Sequence, residues 1–470
     1  MVRTRFSPSP TGMLHLGNAR AALFSALYST KESGIFILRI EDTDQVRSEH
    51  KYTEMLQEDL HWLGVNWQEG PGVGGPYQPY WQSQRHEIYA HYYQELEKKG
   101  LAYPCFCTDQ ELAFNRKIQL SRGQAPRYPG TCLKLSVEEI ARRIAEGATP
   151  ALRFHVPEKK IIEFVDLVKG LQKFNSSDIG DFIIRRAQGT ASFMFSNAID
   201  DSLMHVTHAI RGEDHLANTP RQLMILQALN LPTPQYGHLS LIISDDASKL
   251  SKREGSFSLN DLHQEGYLPA AVTNYLSRLS HTYEQLHLMT FEELATNFKI
   301  EKLSRAPARF DKHQLLHWQK EAVMALDTAA TLAWLGDEIL EKVPGDQRDL
   351  FAEVMRKNIL FPDEAQIWAD VFFRNEPQLT HEQVDILKEA GEAFFIEAQA
   401  SVKKHGTDMK TVCDELKTKL NISGKKLFMP LRIALTGEQN GPELVHIASL
   451  LGVDKMMSHF HQAEKLSRKD

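Results

Sequence analysis

Met1-Val2-Arg3-Thr4-Arg5-Phe6-Ser7-Pro8-Ser9-Pro10-Thr11-Gly12, closed by His15-Leu16-Gly17-Asn18, passes from one kind of structure to another. Val2, Thr4 and Phe6 alternate as in a strand, with Arg3 and Arg5 between them. Pro8 and Pro10 fix φ and remove N–H donors, so the ladder stops and a stiff loop follows. Gly12 and Gly17 let backbone approach a ligand closely. Beyond Asn18, the residues Ala19, Ala22, Leu23, Ala26 and Leu27 recur at three- and four-residue steps, which predicts an amphipathic helix ending near Gly34. The next run, Ile35-Phe36-Ile37-Leu38-Arg39-Ile40, is short and β-branched, a buried strand. Strand, loop, helix and strand of this length make a βαβ unit of a parallel sheet. Its helix N-terminus offers N–H groups and a positive dipole to an anion. Taken alone, the segment fits either an anion site or an ordinary surface turn with His15 as a capping residue.

A second segment, Ser248-Lys249-Leu250-Ser251-Lys252-Arg253, changes the weighing. Arg5-Phe6-Ser7-Pro8-Ser9-Pro10-Thr11-Gly12 with His15-Leu16-Gly17-Asn18 resembles the N-terminal signature of glutamyl-tRNA synthetases, and Lys249-Leu250-Ser251-Lys252-Arg253 resembles the lysine loop of class I synthetases. Further similar motifs are Arg39-Ile40-Glu41-Asp42-Thr43-Asp44, Ile210-Arg211-Gly212-Glu213-Asp214-His215, Asn218-Thr219-Pro220-Arg221-Gln222 and Phe428-Met429-Pro430-Leu431-Arg432. They keep their order along nearly the whole chain.

After an interruption, apolar runs resume at Asn197-Ala198-Ile199-Asp200 and His205–Ile210, both strand-like. A helix pattern follows from Asn218 through Leu229, then a strand candidate at His238–Ile243. This second β–α–β pattern predicts an α/β fold: a Rossmann-like, doubly wound parallel sheet split by an insertion, with its ligand at the switch point. The resemblance implies catalytic halves at 1–78 and 191–247, and an insertion at 79–190 that binds the tRNA acceptor end. It also implies a stem-contact region with the lysine loop at 248–320, and an all-helical anticodon-binding region at 321–470. Helical patterns there run over Leu326–Leu340, Asp349–Lys357, His381–His405 and Gly424–Leu451. Gly72-Val73-Gly74-Gly75 mimics a phosphate loop, but Pro76 follows and no helix opens, so it reads as a connector.

The resemblance implies specific roles. Arg5 and Arg211 clamp the substrate's side-chain carboxylate, a task suited to planar forks. Glu41 receives the α-ammonium, while Ser7, Ser9 and Asn197 orient the amino acid. Phe193 stands where relatives carry a Tyr, so one hydroxyl is missing from that pocket. Thr11, Gly12, His15, Gly17 and Asn18 wall the ATP phosphates, Asp214 and His215 touch the nucleoside, and Lys249, Leu250, Ser251 and Lys252 cover the triphosphate of Mg-ATP. His15, Lys249 and Lys252 are the candidate catalytic residues. Arg39 and Asp42 are equally explained as structural ion pairs within the sheet.

In the insertion, Cys105, Cys107 and Cys132 resemble a zinc knuckle, but Lys134 replaces the expected His and only Tyr128 offers a fourth donor. A structural zinc wants four N or S ligands, so free cysteines are expected and zinc is the alternative. Four cysteines in so long a chain exclude a disulfide scaffold and suit a reducing cytoplasm. A net charge of −7 places any tRNA contact on local basic patches such as Lys403-Lys404 and Lys425-Lys426, which as single pairs also fit solvated helix faces. Expected partners are tRNA(Glu), L-glutamate and ATP, with no membrane and a monomeric chain. Whether tRNA(Gln) is also charged rests on anticodon contacts that the sequence does not identify. Two other classes fit the sequence less well. Asp42-Thr43-Asp44 resembles a glycosyltransferase metal motif but leaves the lysine loop unexplained. A non-catalytic RNA-binding paralogue would not need His15, Lys249, Lys252, Arg5 and Glu41 together.

Overall fold

A computed structural model describes residues 1–43, 50–244, 258–374 and 376–468. Asp44 and the whole of Lys249–Lys252 lie outside the described residues. The chain divides into two compact units, 1–264 with 272–315 and 265–271 with 316–470.

The first unit is organised by four parallel strands in the order β2-β1-β8-β9, where β1 is Arg3–Phe6, β2 Ile35–Leu38, β8 His208–Gly212 and β9 Gln235–Leu239. β1 pairs with β2 from Arg3↔Ile35 to Phe6↔Leu38, and with β8 at Thr4↔His208. Every residue of β1 is buried, as expected of a central parallel strand covered on both faces. Helix α1, Leu16–Lys31, connects β1 to β2. Because β1 and β8 are joined to different neighbours, β2 and β9, their adjacency is the switch point, beyond whose strand ends open α/β sheets place their ligands.

Helices α2 (His50–Trp62) and α3 (His86–Lys98) precede an antiparallel sheet of β3 (Ala102–Cys105), β4 (Ala151–Phe154) and β7 (Phe182–Arg185). Helices α4 (Asp109–Ser121) and α5 (Val137–Ala145) lie between its first two strands. A hairpin of β5 (Ile161–Asp166) and β6 (Gly170–Asn175), then the short helix α6 (Ser176–Ile179), completes this excursion. The hairpin tip docks on the parallel sheet, where Leu167 N–H donates to Tyr236 O at 2.8 Å. The Gly72–Gly75 connector is a tight turn, with Gly70 and Gly74 exchanging both backbone hydrogen bonds.

One expected strand is a helix. Asn197–Asp200 lies inside α7, Phe193–Leu203, which runs into β8. Residues Phe195 to Ser202 are buried without a break, so this helix is covered on all sides and shows no amphipathic stripe. After β8, helix α8 (Thr219–Leu229) starts with Pro220 in its first turn and leads to β9. A short parallel pair, β10 (Ile242–Ile243) with β11 (Ala308–Arg309), lies beyond.

The second unit is helical around one core that includes Phe351, Phe372, Phe395, Leu431 and Phe460. Three helices expected to be continuous are broken, Gly424–Leu451 among them: Gly437, at φ +72°, closes Lys425–Thr436, and the next helix starts at Leu444. Gly336, at φ +80°, separates Thr328–Leu335 from Asp337–Leu340, and Gly391, at φ +85°, separates His381–Ala390 from Glu392–His405. A left-handed glycine ends a helix because other residues meet a Cβ penalty there. Among the described residues, no helix is long and apolar enough to cross a membrane.

Candidate active site

At the carboxyl end of β1, Arg5 Nε donates to both carboxylate oxygens of Asp201, at 3.1 and 3.2 Å, and Nη1 donates to Ile210 O. Asp201 also lies 2.8 Å from Arg39 Nη2, which donates to Asn197 Oδ1 at 2.9 Å. The neighbouring Asp200 accepts from Arg85 Nε, Gln82 Nε2 and Tyr89 Oη. Asn197, Asp200 and Asp201 of α7 thus hold three arginines, Arg5, Arg39 and Arg85. Arg39 is wholly buried. Burial works against its charge, but Asp201, Asp200 and Glu41 together hold its pKa above the ordinary arginine value. Burial also opposes the Asp201 carboxylate, and Arg5 and Arg39 outweigh it. Removing one partner from such a network leaves an uncompensated buried charge.

Glu41 is 3.9 Å from Arg39 and buried, and its Oε1 has no hydrogen-bond partner. Burial pushes its carboxyl up to about 7 against the pull of Arg39. Ser7 Oγ, just past β1, is likewise buried without a partner. Asp42 accepts from Ser83 N and Oγ, a local structural role.

Arg211, on β8, is the other buried guanidinium. Its Nε donates to His238 Nε2 at 3.2 Å, and its Nη2 donates to Thr219 Oγ1 at 2.8 Å and Gln222 Oε1 at 2.7 Å. The ring of Tyr236 lies beneath it, 5.0 Å from Cζ. Nη1 has no partner. Burial lowers the Arg211 pKa to about 10, so an anion at Nη1 would meet a poorly solvated cation. Phe193 stacks on His215, with ring centroids 5.0 Å apart, and burial pulls the His215 pKa down to about 4. Asp214 beside it is exposed.

The loop after β1 and the start of α1 are built differently. Thr11 N–H closes a turn on Ser9 O, His15 is the N-cap residue of α1, and Gly17 and Asn18 sit in its first turn. A Cβ at Gly12 or Gly17 would meet no protein atom within 4 Å, and neither glycine has a positive φ. The fold itself therefore does not demand glycine at either place, which leaves the open space for a ligand. Ser258 forms a bridge with His15, and Leu259 N–H donates to Leu14 O, so the chain returns from the lysine segment beside this wall.

Sequence comparison agrees with the geometry. Residues 1–317 match the family described as tRNA synthetases class I (E and Q), catalytic domain, and residues 329–463 match an anticodon binding domain. A glutamate–tRNA ligase of Coxiella burnetii is 50% identical over 463 residues, covering 98% of this chain and 100% of that one. One from Nitrosococcus oceani is 51% identical over 455 residues, covering 97% and 96%. The chain belongs to the glutamyl-tRNA synthetases. The crystal structure of the Elizabethkingia anophelis glutamate–tRNA synthetase matches with a TM-score of 0.90 at 29% identity, covering 99% of both chains.

In this synthetase the structure brings Arg5, Ser7, Glu41, Asn197 and Arg211 to the strand ends, while Ser9 is exposed on the loop. Asp200, Asp201, Arg85, Asp166 and His238 were not singled out from sequence. Only the adjacent pair Asp200-Asp201 carried a signal, since two acids on a mostly apolar helix require buried cations.

Cys105, Cys107 and Cys132 converge, with their Sγ atoms within 4.8 Å of one another. The Tyr128 hydroxyl joins them, 3.5 Å from Cys105 Sγ and 3.4 Å from Cys107 Sγ. Burial would raise the Cys105 thiol, but hydrogen bonds from Tyr128 and Arg153 hold it below the usual value.

Proposed function

We propose that this synthetase attaches L-glutamate to the 3′ end of tRNA(Glu) through a glutamyl-adenylate, in two steps at the β1/β8 crevice. The glutamate α-carboxylate attacks the α-phosphorus of Mg-ATP in line, forming a P–O bond as pyrophosphate leaves. The terminal 2′-hydroxyl of tRNA then attacks the activated carbonyl and AMP leaves with the mixed-anhydride oxygen. No protein nucleophile takes part, so catalysis is positioning and charge stabilisation.

The observation that carries the substrate assignment is Arg211 Nη1, a buried cationic donor group with no acceptor. Such an atom costs folding free energy unless a ligand completes it, and a γ-carboxylate does so with a full negative charge where an amide offers only a neutral carbonyl oxygen. Arg5 adds positive charge from β1. Glu41 Oε1, equally unpartnered, takes the α-ammonium, and Ser7 Oγ and Asn197 orient the substrate. On the other side Thr11, Gly12, Gly17 and Asn18 cradle phosphate oxygens, His15 and Lys252 meet the charge developing on them, and Phe193 and His215 with Asp214 flank the nucleoside. The antiparallel excursion receives the acceptor end and the helical unit the anticodon, in a cytoplasmic setting where ATP and tRNA coexist.

Aminoacylation of purified tRNA(Glu) with labelled amino acids tests this. Glutamate should be transferred and glutamine not, and comparable transfer of glutamine would overturn the assignment of Arg211. The same assay on tRNA(Gln) decides between one tRNA acceptor and two.

The three thiols and the Tyr128 hydroxyl form a four-donor set that fits a structural zinc better than sequence alone suggested. Cys105, Cys107, Cys132 and Tyr128 would hold the ion, which would brace the end of β3 and supply no chemistry to aminoacylation. Metal content of the purified chain, compared with that of Cys132→Ser, tests the fit.

A further inference from the structure

Asp166 belongs to the hairpin, at the end of β5, and His238 to β9, yet the two meet in a fully buried contact. His238 Nδ1 lies 2.5 Å from Asp166 Oδ2, and both side chains are inaccessible to solvent. Asp166 Oδ1 is committed elsewhere, accepting from the backbone N–H groups of Val168, Lys169 and His238. Arg211 Nε can only donate, so His238 Nε2 must accept, and the ring proton sits on Nδ1, facing Asp166 Oδ2. Arg211 Nε lies 3.2 Å from Nε2, and Thr219 Oγ1 lies 3.1 Å away. Thr219 Oγ1, which accepts from Arg211 Nη2, can reach Nε2 only by sharing that nitrogen's one lone pair with Arg211 Nε–H. Burial keeps His238 neutral, lowering its pKa, while the hydrogen bond from His238 helps keep Asp166 charged against its own burial.

We propose that Asp166 and His238 are positioning residues for glutamate recognition: Asp166 fixes the Nδ1–H tautomer of His238, whose Nε2 then holds Arg211 so that its Nη1 faces the substrate. The inference rests on the assignment of Arg211 to the side-chain carboxylate of glutamate. A guanidinium can turn about its last torsions, and three of its donors are taken by Thr219, Gln222 and His238. Of these, the His238 bond alone is made at Nε, so it sets the plane of the fork and therefore the direction of Nη1. A His238 in the opposite tautomer would present N–H against N–H and turn that plane away. Aspartate is required rather than any polar residue. Asparagine at 166 would keep Oδ1 for the three backbone donors, but would direct its NH₂ at His238 Nδ1 and force the proton to Nε2.

The experiment uses the full-length chain in aminoacylation, with KM for glutamate and for ATP measured separately. Asp166→Asn should raise the glutamate KM about tenfold while leaving the ATP KM within roughly twofold. His238→Phe keeps a ring but removes both nitrogens and should do the same. The double variant should then be no worse than His238→Phe alone, because Asp166 acts only through the imidazole. Multiplying effects in the double variant, or an Asp166→Asn chain that melts earlier with an unchanged glutamate KM, would reduce Asp166 to a structural cap and overturn the proposal. If His238→Phe does not fold, the nitrogen-15 shifts of His238 decide: the proton should move from Nδ1 to Nε2 in Asp166→Asn, and an unmoved proton overturns it. Arg211→Lys separates the two layers. An unchanged glutamate KM there defeats the assignment of Arg211 itself. A raised KM in Arg211→Lys beside a normal one in Asp166→Asn defeats only the positioning role.

Discussion

Between Arg5 and Arg211 the protein meets most of its buried donors with its own acceptors, whereas along Thr11 to Asn18 it offers backbone, open space and a helix N-terminus. The difference follows from what each end must recognise. On the proposed assignment, glutamate is told from glutamine by one charge, and its pocket uses fixed, desolvated groups with a few atoms left vacant, Arg211 Nη1 and Glu41 Oε1. The triphosphate changes its charge distribution as the reaction proceeds. A cradle of N–H groups serves it throughout, and the resemblance assigns the added cations to Lys249 and Lys252. Selectivity is thus stored in the fold on one side, and the other side is completed by ligand.

The contrast breaks first if the buried charges prove dispensable. Asp201→Ala removes the carboxylate that Arg5 and Arg39 share, leaves Arg39 only the longer carboxylate contacts to Asp200 and Glu41, and should cost about 3–5 kcal/mol of stability in a urea titration. A loss well under that would mean the guanidiniums relax to water and the amino-acid side is not rigid. Next in size is Lys252→Ala, which should lower the rate of adenylate formation by roughly 3–4 kcal/mol of transition-state stabilisation, as for the loss of one preorganised donor. Its glutamate KM and its urea midpoint should barely change. Normal adenylate formation would remove Lys252 from the chemistry.

How much of this was legible beforehand follows the range of the interactions. Strand, proline loop and helix from Arg3 to Lys31 were readable because alternation, fixed φ and the three-four period are local. The helix over Asn197 is missed because Phe195 to Ser202 are all buried, so no amphipathic period marks it and a short run there reads equally as a strand. Gly336 and Gly391 divide helices whose apolar period runs across them unbroken. Arg39 was foreseen in a structural ion pair, but its partners sit about 160 positions away on α7. Asp166 and His238 are 72 positions apart and meet only because the hairpin tip docks on β9. Tyr128 was noted as a weak fourth donor, and only folding places its hydroxyl against Cys105 and Cys107. The roles of Lys249 and Lys252 come from resemblance alone.

A smaller effect separates the two ends by pH. Glu41 titrates near 7 because it is buried, and only its ionised form pairs with an ammonium. The glutamate KM should therefore be flat above pH 7 and rise by about tenfold for each unit below it, the slope of a single group. The ATP KM, resting on backbone donors, should not follow. A glutamate KM that is level from pH 8 to pH 5 would show that Glu41 does not receive the ammonium.

Gly17→Ala gives the smallest and sharpest contrast. Gly17 occupies the first turn of α1 at a negative φ, and an added Cβ would meet no protein atom within 4 Å. In the free protein, alanine should thus be tolerated, and it should raise stability by up to about 0.5–1 kcal/mol because glycine loses more backbone entropy in a helix. In the complex the methyl group would stand where phosphate oxygens approach the N–H groups, so the ATP KM should rise several-fold while the glutamate KM stays put. A stabilised protein with weaker ATP binding is the signature of a glycine kept for its ligand. Should the variant melt higher and bind ATP as before, the phosphates do not touch α1 at this turn. The open space around Gly17 would then be ordinary surface, and the comparison between the two ends would lose its phosphate half.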